Sequence, residues 1–195
     1  MNWLKSLSTS NDAIALLEAD HQTLKELFEQ FETTKDRRSK QPIIDKALKL
    51  LTVHAAIEEE IFYPAVRGAK IDEMKPLLDE ALEEHHVAKF LIAELEGMGQ
   101  DEERYDAKFQ VLAESTRHHI KEEESEMFPM SKEGELDWER LAKRMKERQE
   151  QLREQPSGSP SSVRKASTGR RATRRSRVMP RTTGRRATTL RRTGA

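Results

Sequence analysis

Four apolar stripes, each at helical spacing and each broken midway by a histidine, narrow the possible folds of this chain more than any other feature. The first is Ile14, Leu17, His21, Leu24, Phe28 and Phe31, and the second is Ile44, Ala47, Leu51, His54, Glu58 and Ile61. The third is Leu78, Ala81, His85, Ala88, Ile92 and Leu95, and the fourth is Phe109, Leu112, Thr116, His119, Glu123 and Met127. Spacings of three and four place each set on one helix face, and such a face belongs in a core. Four helices of this kind on short connections predict an all-α fold, an antiparallel four-helix up-down bundle. A shorter fifth helix is expected from about Asp137 to Arg153, with Trp138, Leu141, Met145 and Leu152 as its apolar side. No segment reads as a strand.

The ends of these helices follow from capping and breaker residues. Asn11 or Ser10 is expected to cap the first, which runs to about Thr33. Pro42 is assigned to the first turn of the second, which Pro64 and Gly68 bring to an end. Asp72 and Pro76 open the third, and Gly97 and Gly99 stop it. The fourth starts near Asp101 and ends near Pro129.

The chain also divides by charge. From Pro156 to Ala195 there are 12 Lys/Arg and no Asp/Glu, so residues 1–155 hold all 35 acidic residues against 23 basic ones. An acidic domain thus carries a basic tail of equal and opposite charge. The tail has almost no apolar residue with which to offset its ordering entropy, and is expected to be disordered. The expected layout is a lead-in at 1–11, the bundle at 12–153 and an Arg-rich tail at 154–195. The chain has no Cys, which excludes disulfides, thiolate metal sites and iron–sulfur clusters. It shows no secretory signal and no apolar run of membrane-spanning length. A cytoplasmic protein that avoids the membrane is the expectation, with nucleoid association if the tail engages DNA.

The two halves of the bundle resemble each other. His21 and His85 are each followed by Lys four residues on, Lys25 and Lys89. His54-Ala-Ala-Ile-Glu58 continues to Pro64, and His119-Ile-Lys-Glu-Glu123 continues to Pro129. A helical hairpin is expected to occur twice, related by a pseudo-twofold axis.

On a helix, residues i and i+4 share a face, so His54 with Glu58 and His119 with Glu123 each aim an imidazole and a carboxylate at one point. A lone His on an apolar stripe is more often a hydrogen-bonded core residue than a ligand. Four stripes with a mid-stripe His, two of them followed by Glu, favour metal. Buried carboxylates need a cation or a hydrogen-bond partner, and these stripes contain no Lys or Arg. The expected ligands are His21, His54, Glu58, His85, His119 and Glu123, with the carboxylates able to bridge two ions. Such mixed ligation suits iron, manganese or zinc. His86 and His118 lie on polar stripes and, with Glu122, are assigned to solvent, to an outer shell or to an alternative metal position. Glu59, Glu60, Glu122 and Glu124 read as a solvated acidic surface, with metal delivery as the functional alternative.

With these residues placed, the chain resembles the hemerythrin-like, HHE cation-binding family. The motifs are Asp20-His21, HAAIEEEIFYP at 54–64, EEHHVAK at 83–89 and HHIKEEESEMFP at 118–129. The resemblance implies a non-haem di-iron centre, oxo- or hydroxo-bridged, that meets oxygen, nitric oxide or peroxide. Oxygen-carrying hemerythrins have a further His where this chain has Lys89, and a more distant Asp where it has an i+4 Glu, so the HHE branch is the better likeness. Ferritin-like bundles need Glu-x-x-His on two helices. This chain has one, Glu83…His86, on a polar face.

Two functions of different class follow. The first is a di-iron protein that binds or senses oxygen, nitric oxide or peroxide, or sequesters iron. No substrate pocket is legible, so peroxide decomposition is the one turnover considered. The second is a nucleic-acid-associated protein working through its tail. Arg170, Arg171, Arg174, Arg175, Arg185 and Arg186, in and around two GRRAT repeats, would contact phosphates without sequence preference.

Overall fold

The computed structural model describes residues 12–71 and 73–154. The lead-in with Ser10 and Asn11, Asp72, and the basic segment with Arg170, Arg171, Arg174, Arg175, Arg185 and Arg186 lie outside the described residues. The described elements are all helical: α1 (Ala13–Thr33), α2 (Arg37–Ile57), α3 (Tyr63–Gly68), α4 (Met74–Gly97), α5 (Tyr105–Glu122), α6 (Phe128–Ser131) and α7 (Trp138–Glu154). Two five-residue π turns, Glu58–Phe62 and Glu123–Met127, join α2 to α3 and α5 to α6. Two long hairpins, α1 with α2 and α4 with α5, pack together through α1 against α5 and α2 against α4. The last helix, α7, lies on α1, on α2 and on the first π turn.

Several helix ends differ from the expectation. Asp12 caps α1, its carboxylate accepting from the Ile14 N–H at 2.9 Å. Asp36 caps α2 by accepting from the Ser39 N–H at 2.8 Å, so Pro42 falls in the second turn rather than the first. Pro42 has no N–H to offer the carbonyl of Arg38, which is an exposed residue. Arg104, with φ 72°, takes a left-handed conformation that delays α5 to Tyr105. Pro64 does not stop its helix. The Tyr63 N–H bonds back to the Glu58 carbonyl, five residues earlier, and this wider turn lets the chain pass proline and continue to Gly68. Phe128 N–H to Glu123 carbonyl does the same ahead of Pro129.

The stripes become two apolar clusters with a polar layer between them. One gathers Leu17, Ile57, Phe62, Met74, Leu78, Phe128 and, from α7, Leu141 and Met145. The other gathers Leu24, Phe28, Phe31, Ile44, Leu51, Leu95, Phe109 and Leu112. In the second, the Phe109 ring lies edge-on to Phe31 at 4.6 Å between centroids and to Phe28 at 6.0 Å. Changing Phe109 to Ala is expected to cost about 3–5 kcal/mol, read from denaturant midpoints, while leaving metal stoichiometry intact. Equal loss of metal would mean the two clusters do not fold independently of the layer between them. No helix among the described residues is long and apolar enough to cross a membrane.

Candidate metal centre

The polar layer holds His21, His54, Glu58, His85, His119 and Glu123, all buried. Each comes from the middle of a stripe because helical periodicity carries the ligand to the core wherever it carries the flanking apolar residues. The imidazoles form two pairs, with Nε2 atoms 3.1 Å apart between His21 and His54 and 3.1 Å apart between His85 and His119. Glu58 lies between the pairs. Its Oε1 is 3.2 Å from His54 Nε2 and its Oε2 is 3.3 Å from His85 Nε2. Glu123 Oε2 is 3.2 Å from His21 Nε2 and 3.5 Å from His119 Nε2. Both Glu58 oxygens and Glu123 Oε2 are buried without a hydrogen-bond partner, so these short distances lack hydrogen-bond geometry. An orphaned buried carboxylate facing convergent imidazole nitrogens costs several kcal/mol or more unless a cation lies among them.

Two overlapping groups have ligand atoms within 4.8 Å of one another: His21, His54, Glu58 and Glu123, and Glu58, His85 and His119. Glu58 belongs to both. Without a cation the electrostatics are polarised. Burial, reinforced by the charge of Glu123, pushes the Glu58 carboxyl up to about 8. Burial acts in the same sense on Glu123, but the charges of the His119 and His21 imidazoles beside it outweigh it and hold the carboxyl well below the usual range. Burial disfavours the charged form of His21, yet the adjacent carboxylates of Glu123 and Glu124 carry its pKa up to about 9.

Every imidazole also has a carboxylate behind it, on Nδ1. His21 Nδ1 is 3.0 Å from Glu124, His85 Nδ1 is 3.0 Å from Glu59, and His119 Nδ1 is 2.7 Å from Glu84. His54 Nδ1 is 3.5 Å from Asp20. Lys25 bonds Glu124 and Lys89 bonds Glu59. These contacts repeat across the two halves: the acid before each helix-leading His serves the second His of its own half, and the Glu after each i+4 Glu serves the other half. Such outer carboxylates fix the ring tautomer so that Nε2 points inward. Six carboxylates therefore surround the imidazoles, and Lys25 and Lys89 offset two of them. Four negative charges remain, a balance that favours cations in the layer.

Glu59 and Glu124 thus are not simply solvated, as their place in an acidic run suggested. They are part-buried because the π turns that follow α2 and α5 carry them toward the imidazole of the opposite half. The His86 side chain is 79% exposed and its neighbour is Glu83 at 3.5 Å. His118, 64% exposed, lies 3.2 Å from Glu122, and these two approach Glu84 on the outer face. Glu60 instead accepts two bonds from Arg148 on α7, at 2.7 and 3.0 Å.

Two contributors were not singled out from sequence. Tyr63 stacks on His85 and donates to Glu123 Oε1 at 2.9 Å; its counterpart Phe128 stacks on His21 and has no hydroxyl. Burial and the neighbouring carboxylates raise the Tyr63 pKa well above that of a free phenol, so it stays a donor. Gln149 of α7 reaches Asp20. The repeat offset that links His21 to His85 also links Asp20 to Glu84, and the one that links His54 to His119 also links Glu59 to Glu124, so the repeat could have flagged those four; nothing comparable pointed to Gln149.

The sequence matches the hemerythrin HHE cation binding domain over residues 12–131. The chain belongs to that family. Its fold is also similar to the crystal structure of a hemerythrin HHE cation binding domain-containing protein from Mycobacterium kansasii, with TM-score 0.62 and 25% identity, covering 73% of this chain and 87% of that one. A curated relative from Nostoc sp., named a DNA nickase, is 27% identical over 114 residues, 58% of this chain and 31% of the relative. The HHE chain thus spans about a third of that relative's length. Membership of the HHE family makes this a metal-binding domain, and the donor set of imidazoles and carboxylates suits such a site.

Proposed function

We propose that this HHE protein binds two iron ions through His21, His54, Glu58, His85, His119 and Glu123, and binds or responds to a small oxidant such as oxygen, nitric oxide or peroxide. The observation that carries the reading is Glu58. Both of its oxygens are buried and unpartnered, and each approaches an imidazole of a different pair. Iron in that position would supply redox chemistry; the chain supplies enclosure and access. A cavity of about 20 Å³ is lined by His54, His85 and His119 together with Leu51, Ala55, Ile92 and Thr116. That volume accommodates a water-sized or diatomic molecule and little more. Part-exposed Lys89, Glu84 and Ser115 line it too. Tyr63, held protonated, donates to Glu123 and keeps one of its oxygens from turning toward a cation.

Optical spectra of the iron-loaded protein, recorded anaerobically and after adding oxygen, nitric oxide or peroxide, test the reading. Spectral change with at least one of them is expected, and none with any of the three would sink it. Zinc and manganese loading in parallel tests the metal assignment. Removing metal is also expected to lower the thermal midpoint by on the order of 10 °C, from about 4 kcal/mol of binding linkage at a thousandfold excess over the dissociation constant. An unchanged midpoint in protein shown to be metal-free would mean the six residues satisfy one another.

A second reading concerns nucleic acid. It is favoured by the basic segment and by the likeness to a relative named a DNA nickase. The segment would hold phosphates, with the HHE domain alongside as a redox-responsive or protective module.

A further inference from the structure

Of the four outer carboxylates, Asp20 alone is wholly buried, with no exposed surface, whereas Glu59, Glu84 and Glu124 are each at least one-fifth exposed. Lys89 and Lys25 neutralise two of those three. Asp20 is instead held by an uncharged group from α7: Gln149 Nε2 donates to its Oδ2 at 2.7 Å, and Gln149 is itself 3% exposed. Asp20 Oδ1 and His54 Nδ1 are both buried without a hydrogen-bond partner, and the Asp20 atom nearest His54 Nδ1 is the same Oδ2, at 3.5 Å. The helix that brings Gln149 lies beyond the family-matched residues 12–131, and it is pinned by Arg148 to Glu60 in the π turn that starts at Glu58. Glu84, the counterpart of Asp20, faces His118 and Glu122 on the outer side and takes no bond from α7.

We propose that Gln149 is a positioning residue for the metal position built by His21 and His54, acting through Asp20 on the His54 ring, and that it makes this position bind metal more tightly than the one built by His85 and His119. The inference rests on the two-metal reading above. A ring whose Nε2 engages a cation carries its proton on Nδ1, and Asp20 is the acceptor in reach. Gln149 fixes the carboxylate that must accept that proton and satisfies one of its oxygens meanwhile. Without the amide, a buried carboxylate is left unanchored beside the ring it orients. The loss of outer-shell partners of this kind lowers metal affinity by about 10–100-fold.

The test is an anaerobic titration of full-length protein with Fe²⁺, and with Co²⁺ for its hyperfine-shifted imidazole N–H resonances. Wild type is expected to bind in two distinguishable steps. Gln149→Met, which keeps the volume and removes the donor, is expected to weaken the tighter step about 10–100-fold, to leave the weaker within a few-fold, and to speed solvent exchange of one imidazole N–H. Glu84→Gln is expected to weaken the other step instead. If Gln149→Met does not fold, Asp20→Asn carries the same expectation. Unchanged constants in Gln149→Met, or equal weakening of both steps, overturns the inference, the second result marking a general loosening of the fold. Failure of wild type to bind metal at all overturns the two-metal reading itself, and this inference with it.

Discussion

Replacing Glu58 with Ala is expected to reduce bound iron from about two ions per chain to below one and to destabilise the bundle, because four imidazoles then remain buried without the cations they are arranged to meet. Among the described residues, Glu58 is the one common to both groups of converging ligand atoms, so its removal affects both positions. Glu123→Ala is expected to come close to this, falling short where His85 and His119 retain Glu58. His86→Ala and His118→Ala provide the contrast. Both side chains are mostly in solvent, so each is expected to leave iron content unchanged and to shift stability by no more than about 0.5 kcal/mol. Iron analysis of the purified variants, with thermal melts beside it, reads the series. Equal loss of iron in the His86 and Glu58 variants would overturn the ligand set.

Removing the basic segment before Pro156 is expected to abolish binding to DNA or RNA while leaving iron content unchanged. The segment has 12 Lys/Arg, no acid and no aromatic residue to stack on bases, so binding should be independent of sequence and governed by phosphate neutralisation. If about six of these charges engage duplex DNA, the logarithm of affinity should fall against the logarithm of salt with a slope of about −5. The acidic domain competes for the same charges, so the isolated segment should bind more tightly than the full chain. Gel shifts over a salt series, with full-length, shortened and segment-only chains, make the comparison. Full-length protein that fails to retain DNA even at low salt removes the nucleic-acid reading and favours a segment docked on its own acidic domain.

Much of the centre was legible before any fold was known. The stripe through His21 runs from Ile14 to Phe31, and that through His119 from Phe109 to Met127; in both, every stripe residue is buried. The choice of His85 over His86 and of His119 over His118 needed only the character of neighbouring stripes, and the burial of the four rings follows that division. Helix ends were less legible. The sequence suggested proline in the first turn of α2 and an end at Pro64 and Gly68, whereas Asp36 captures the α2 terminus and a π turn carries the chain past Pro64 to Gly68. Both outcomes depend on a local contest between side-chain caps, carbonyl partners and packing, which composition alone does not rank.

The sequence by itself determined which residues face inward on each helix, because the 3.6-residue period is a local property that needs no partner helix. It thereby determined the six inward His and Glu. Only the tertiary structure decided which carboxylate stands behind which imidazole, that Tyr63 caps Glu123 where Phe128 caps nothing, and that Gln149 reaches Asp20 from a helix 129 residues further along the chain. Those contacts depend on the relative height and rotation of helices that meet only after folding. A shift of one residue between α1 and α7 would leave every stripe intact and send Gln149 elsewhere.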